Sequence, residues 1–203
     1  MISVPESLAF YWVDATNRAA VNVPANPTDI PPDLTLDEAE RFEVALLAAE
    51  RVRVDLWRLL GSLWSATWEA AARAEFPAAR LLTYGGHSDP VNGDFTPSVK
   101  RAWDEGLRYG VLELPGRGRL VTFIELTKDH QDAVVGFSFV DQKGHWTIGD
   151  EVELGPEWAN DDNGWRVAGS GHVRVAGGGT EIDPSSLAAL CRSALATLKA
   201  ALA

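Results

Sequence analysis

The sequence predicts an α+β fold: a helix-rich N-terminal half with one long helix, an antiparallel β-meander and a closing C-terminal helix. An apolar series with alternating spacings of three and four residues runs from Phe42 to Ala70. Segments rich in β-branched and aromatic residues then follow between positions 111 and 176, with no crossover long enough to form a helix. A third apolar stripe lies near the C-terminus. We expect a single domain over 1–203.

The first two elements are an extended N-terminal segment and a long helix. Residues 1–34 should be extended, because four prolines in nine consecutive residues remove backbone donors and disfavour helix. The helix is predicted over 35–76. Thr35 and Glu38 form a capping box at its start, and Pro77 prevents its continuation.

The apolar face of this helix is broad, as expected for a core helix. Its main series is Phe42, Ala45, Ala49, Val52, Leu56, Leu59, Leu63, Ala66 and Ala70. A second stripe beside it contains Leu46, Trp57, Leu60, Trp64 and Trp68. The pattern leaves open whether these tryptophans face the core or a partner. Glycine weakens a helix interior, so Gly61-Ser62 predicts a kink or a break, leaving one bent helix or two.

The second half of the chain is predicted to be mainly a β-meander over 111–176. A short helix should precede it at 97–109, and a C-terminal helix over 183–202 should follow, with Asp183 as its cap and Pro184 at its first position. The expected strands are 111–114, 120–126, 133–140, 146–148, 152–154, 165–168 and 172–176. Cys191 falls in the apolar stripe of the last helix, so we interpret it as a buried hydrophobe rather than a nucleophile.

The charge of the chain is strongly acidic and unevenly distributed. Residues 1–50 carry a net charge of −7, residues 51–128 of +2 and residues 129–203 of −6. An acidic surface repels nucleic acids and membrane surfaces and attracts basic proteins. No uninterrupted apolar run reaches about 18 residues. We therefore expect a soluble, cytoplasmic protein, and its Ala- and Arg-rich composition is typical of a bacterial one.

The segment from Asp150 to Asp162 is the best candidate for a partner site. It contains no basic residue, and its carboxylates are accompanied by Trp158 within the segment and Trp165 just after it. The predicted contact residues are Glu153, Glu157, Trp158, Asp161 and Asp162. Charges would steer a basic partner and the indole would anchor it, as in an immunity- or antitoxin-like inhibitor or an accessory chaperone. The same charges could instead serve only to keep a strand edge from pairing.

Two other functions remain open. The loop Gly85–Asp94 contains His87, Asp89 and Asp94, which with Glu125 could serve a metal-assisted hydrolase. No complete catalytic motif supports this. A nuclease that uses a Glu-x-Lys pair needs both side chains on one face of a strand, but Glu125 and Lys128 are three residues apart and so lie on opposite faces. We therefore predict no cofactor and no metal.

The second alternative is a homodimer or larger assembly built on the apolar series of the long helix. Its formation would then depend on Trp57 and Trp64.

Overall fold

The computed structural model describes residues 1–5, 8, 35–85, 107–126, 133–145, 152–160, 166–168 and 181–203. Within these ranges, the predicted α+β class with an antiparallel sheet is confirmed. The strands are β1 (Ile2–Ser3), β2 (Arg80–Gly85), β3 (Leu107–Leu114), β4 (Gly118–Leu126), β5 (Ala133–Asp141), β6 (Trp158–Asn160), β7 (Arg166–Ala168) and β8 (Glu181–Ile182). The helices are α1 (Leu36–Trp64), α2 (Ala70–Glu75) and α3 (Ser185–Ala201), and a π-helical turn (Ser65–Glu69) joins α1 directly to α2.

The main sheet has the strand order β2-β3-β4-β5-β7-β6, with every neighbouring pair antiparallel. It differs from the predicted meander in two ways. It gains β2 ahead of the predicted strands, and β6 lies outside β7 although it comes first along the chain. The edge beyond β5 therefore carries Trp158, the first residue of β6.

Alternate residues of the central strand β4 face two separate apolar layers. Leu120 and Ile124 belong to the main core beneath the helices, whereas Val121 packs with Val111 and Val140 in a second cluster. Both faces of these strands are buried. This explains why their sequences are almost continuously apolar rather than strictly alternating.

The helical segment does not break at Gly61, which lies inside α1. The irregularity comes four residues later, in the π-helical turn. Among the described side chains, the predicted apolar series is buried from Val52 to Leu63. Ala66 is half-buried and Ala70 is exposed, and the buried positions become Thr67, Trp68, Ala71 and Ala72. The extra residue of the π-helical turn shifts the buried stripe by one position.

Trp64 and Trp68 belong to the core of the chain itself. Their exposed fractions are 1% and 0%, and each indole donates a hydrogen bond to β4. Trp64 Nε1 donates to Thr122 Oγ1 at 2.8 Å, and Trp68 Nε1 donates to the Phe123 carbonyl oxygen at 2.8 Å. These two members of the stripe fasten the helix to the sheet, so they are not available to a second copy.

Helix α3 packs against the π-helical turn and α2. Its buried residues are Leu187, Cys191, Ala194, Leu195 and Leu198. The Asp183 carboxylate accepts a hydrogen bond from the Ser185 backbone N–H, which lowers the pKa of Asp183. Burial raises the pKa of the Cys191 thiol, in agreement with its interpretation as a buried hydrophobe.

Several predicted boundaries need correction. The helix expected over 97–109 is wrong at its end, because β3 begins at Leu107 and pairs with β4. Residues 152–154 do not form a strand. Within the segment expected to be extended, residues 2–3 pair with β8. The proline-rich stretch and the strands expected at 146–148 and 172–176 lie outside the described residues.

No helix among the described residues is long and apolar enough to cross a membrane.

Candidate functional site

The described part of the acidic segment presents two exposed carboxylates, Glu153 and Glu157. Glu157 lies in a tight turn that the Trp158 N–H closes by donating to the Gly155 carbonyl oxygen at 3.0 Å. Pro156 occupies the second position of this turn, which its fixed φ favours. The Glu157 carboxylate folds over Gly155, since a β-carbon there would lie 2.6 Å from Oε1. Asp161 and Asp162 lie outside the described residues.

Trp158 does not take the exposed position that an anchor for a partner requires. Its exposed fraction is 8%, and its ring packs edge-on against Phe137 at 5.3 Å and lies 6.2 Å from Trp68. Trp158 pairs in register with Ala168 of β7, which is also buried, so both residues face the core. The tryptophan therefore fixes the acidic turn to the core.

A shallow groove of about 360 Å³ lies between Glu157 and one face of α3. Its α3 wall repeats at helical spacing and consists of Ser186, Ala189, Leu190 and Ser193. Leu190 is half-buried and packs at the margin of the core. The groove thus combines one carboxylate, an apolar floor and two hydroxyl-bearing residues.

Of the four candidate catalytic residues, only Glu125 lies within the described ranges. His87, Asp89 and Asp94 lie outside them. Glu125 is exposed on β4, where it pairs in register with Leu107 and Val134. Across the described residues, no three His, Cys, Asp or Glu side chains are placed to hold a metal ion.

A different charged cluster, which the sequence analysis does not predict, lies between α1 and β3. Arg108 is only 2% exposed. Its Nη1 donates to the Trp57 carbonyl oxygen at 2.6 Å, and its Cζ lies 4.0 Å from the centre of the Trp57 ring. Gly61 makes room for this guanidinium, because a β-carbon there would lie 2.9 Å from Cζ. The glycine expected to kink the helix thus serves close packing.

A cavity of about 350 Å³ opens beside this arginine, lined by Trp57, Arg58, Gly61, Ser62, Ser65 and Arg108. Arg58 Nη1 lies 3.4 Å from Asp55 Oδ1, whereas Arg51 holds the other oxygen of the same carboxylate at 2.8 Å. Residues 58, 61, 62 and 65 share one helix face because of their spacing. The sequence shows this row of residues on one helix face, but it does not show that Arg108 of β3 packs beside it.

The turn between β3 and β4, residues 115–117, has a structural role. Arg117 Nη1 donates to the Leu202 carbonyl oxygen at 2.8 Å, just beyond the C-terminal end of α3. A cation at this end of a helix is favoured by the helix dipole. The sequence shows two arginines in a turn but not the helix end that one of them reaches.

No model of a known protein family, no curated protein and no solved structure matches this chain. Its function is therefore inferred from the side chains and their placement.

Proposed function

We propose that this chain is a non-catalytic binding protein that docks a basic protein partner through its acidic surface, which contains Glu153 and Glu157. The observation that carries the proposal is the position of the Glu157 carboxylate at the rim of the α3 groove. Burial of the neighbouring Trp158 holds the turn in place before any partner arrives. Such preorganisation reduces the entropy lost on binding.

The groove suits a lysine or arginine side chain of the partner. The aliphatic stem would lie on Ala189 and Leu190, while the cationic head reaches the Glu157 carboxylate. Hydrogen bonds between a cation and a carboxylate are the stronger ones at interfaces. Glu153, also exposed, adds a second negative charge to the same segment.

The net charge of −11 supports the same partner class. Long-range attraction accelerates the encounter with a basic protein, and salt screens it. An inhibitor that caps a basic protein and an accessory chaperone both fit this description.

The test compares the tagged wild-type chain with Glu153→Lys/Glu157→Lys in capture from native lysate at low and moderate salt. We expect a basic protein to be enriched by the wild type and lost from the double variant. Its affinity, then measured with purified components, should fall by about tenfold or more. Glu125→Lys is the matched control for the single variant Glu157→Lys, because it changes the charge equally and Glu125 is also exposed but lies on β4 away from the groove. A partner retained equally by both variants would refute this surface.

A second pair of variants separates the groove from general charge. Ala189→Gln fills its apolar wall without changing any charge, and Ala196→Gln makes the same change at an exposed position of α3 that does not line it. The groove predicts weaker capture by the first variant than by the second. Equal capture by both would restrict the proposal to long-range charge attraction alone.

A further inference from the structure

The cavity between α1 and β3 concentrates positive charge in an otherwise acidic protein. Its lining includes two guanidinium groups, from Arg58 and Arg108, and two hydroxyl groups, from Ser62 and Ser65. None of the lining residues, all of which the structure describes, is acidic. The segment of the sequence that contains these residues, 51–128, carries a net charge of +2.

Arg108 is held in position by the protein itself. The Trp57 carbonyl oxygen and ring fix its guanidinium, and the missing side chain at Gly61 lets it lie against α1. An arginine remains charged at every accessible pH, and its planar group presents several donors in one fork. A donor group that is already oriented loses little entropy when it binds an anion.

Arg58 supplies a second and more adaptable cation. Its side chain is 64% exposed and its contact with Asp55 is 3.4 Å long. Arg51 makes the shorter contact with that carboxylate, at 2.8 Å. Because Arg51 keeps the buried Asp55 carboxylate paired, Arg58 can turn towards the cavity without leaving that charge uncompensated.

The indole of Trp57 adds a reporter at the same place. Its Nε1–H is buried and has no hydrogen-bond acceptor among the described residues. The ring lines the cavity and stacks on Arg108. A bound anion would therefore change the environment of this N–H even without contacting it.

We propose that this cavity binds an oxyanion group, a carboxylate or a phosphate, carried by a small molecule. Arg108 and Arg58 bind its oxygens, and the hydroxyls of Ser62 and Ser65 line the remaining wall. Arginine forks match both anions, so the two sources share one recognition chemistry. This site is independent of the acidic surface, from which it differs in its residues and in the sign of its charge.

The experiment titrates the full chain with inorganic phosphate and, separately, with acetate, against chloride at matched ionic strength. The signal is the Trp57 indole N–H resonance in a proton–nitrogen correlation spectrum, assigned with Trp57→Phe. We expect a saturable shift with phosphate, acetate or both, and whichever ion acts identifies the source. No saturable shift with either ion would overturn the proposal.

A matched pair of variants locates the effect. Arg58→Gln should raise the dissociation constant of the anion by about tenfold or more, because a charge-assisted contact is lost. Arg73→Gln removes the same charge from the adjoining helix α2, where Arg73 is exposed, pairs with Glu69 and does not line the cavity. Its affinity should stay within about twofold. Equal weakening by both variants would overturn the assignment of the site.

Gly61→Ala tests the position of Arg108. A β-carbon at Gly61 pushes against the guanidinium, so we expect weaker anion binding with no change of charge. Full affinity in a folded Gly61→Ala protein would exclude Arg108 from the site. Should this variant not fold, the comparison of Arg58→Gln with Arg73→Gln still decides, since both arginines are exposed on the surface.

Discussion

Single glycines determine how closely the helix and the sheet approach each other. Gly110 in β3 lies under the indole of Trp64, where a β-carbon would fall 2.0 Å from Cζ2. The same indole donates to Thr122, whose hydroxyl donates in turn to the Gly110 carbonyl oxygen at 3.0 Å. A small residue on the strand thus allows a large one on the helix to reach a buried polar partner.

Gly110→Ala should therefore destabilise the protein by about 3 kcal/mol, because neither the indole nor the strand can move away. Gly116→Ala is the control: its φ of 74° is left-handed, but no atom lies within 4 Å of an added β-carbon. The control should cost only about 1 kcal/mol, from backbone strain. Urea denaturation measures both values. Equal losses would show that the contact with Trp64 is not tight.

Residue roles such as these were not predictable from the sequence. Glycine is a residue type that weakens helices, yet the role of Gly61 is to leave space for the side chain of Arg108, which is distant in sequence. Trp158 stands among carboxylates and suggests an exposed anchor, yet its pairing in the sheet edge turns it inward. Cys191 was predictable, because its neighbours at helical spacing share one apolar stripe.

At the scale of elements, long periodic patterns predicted well and short ones did not. The long helix and α3 follow from apolar periodicity, and the pairing of β4 with β5 follows from two segments rich in β-branched and aromatic residues. Strand β2 was missed because its residues lack alternation, and two of them, Leu81 and Leu82, are exposed. Strand β6 was missed because charged turn residues surround it. The π-helical turn left no recognisable signal, since Ala66 and Ala70 continue the apolar series.

The π-helical turn also leads to a prediction about helix register. Its extra residue moves Trp68, Ala71 and Ala72 into the core, and the Thr67 hydroxyl donates to the Leu63 carbonyl oxygen at 2.8 Å. Deleting Ala66 should convert this turn into ordinary α-helix and leave the same side chains buried. We expect the deletion variant to unfold in a single cooperative transition by circular dichroism.

Insertion of one alanine after Ala66 is the opposite change. It would rotate Trp68 away from β4 by about 100°, the angle per residue of an α-helix. This variant should lose cooperative unfolding. If the deletion proved as damaging as the insertion, the π-helical turn would be required for the fold itself rather than being a tolerated extra residue.

At the scale of the molecule, the first and the last described segments of the chain pack into the same main core, together with α1. Strand β1 pairs with β8, which immediately precedes α3, and α3 packs on the π-helical turn and α2. Val4 and Ile182 are both buried in this core. Charge is distributed unevenly along the sequence. Residues 1–50 and 129–203 are acidic, whereas residues 51–128, which contain the cavity arginines, are slightly basic.

This closure of the chain predicts that residues 2–5 contribute to stability despite their short strand. Their deletion removes the pairing with β8 and the burial of Val4, which is 6% exposed. Burying a valine contributes about 2 kcal/mol, and the half-buried Ile2 adds less. The free energy of unfolding in urea should therefore fall by about 3 kcal/mol. Ser3→Ala, a change at an exposed position of β1, should have almost no effect.

The location of the loss distinguishes a local effect from a global one. Since β8 leads directly into α3, we expect the deletion to accelerate amide hydrogen exchange in the first turn of α3 more than in β4. Unchanged stability together with unchanged exchange would mean that β1 only rests on the surface. A uniform acceleration would instead place residues 2–5 in the single cooperative unit that includes the sheet.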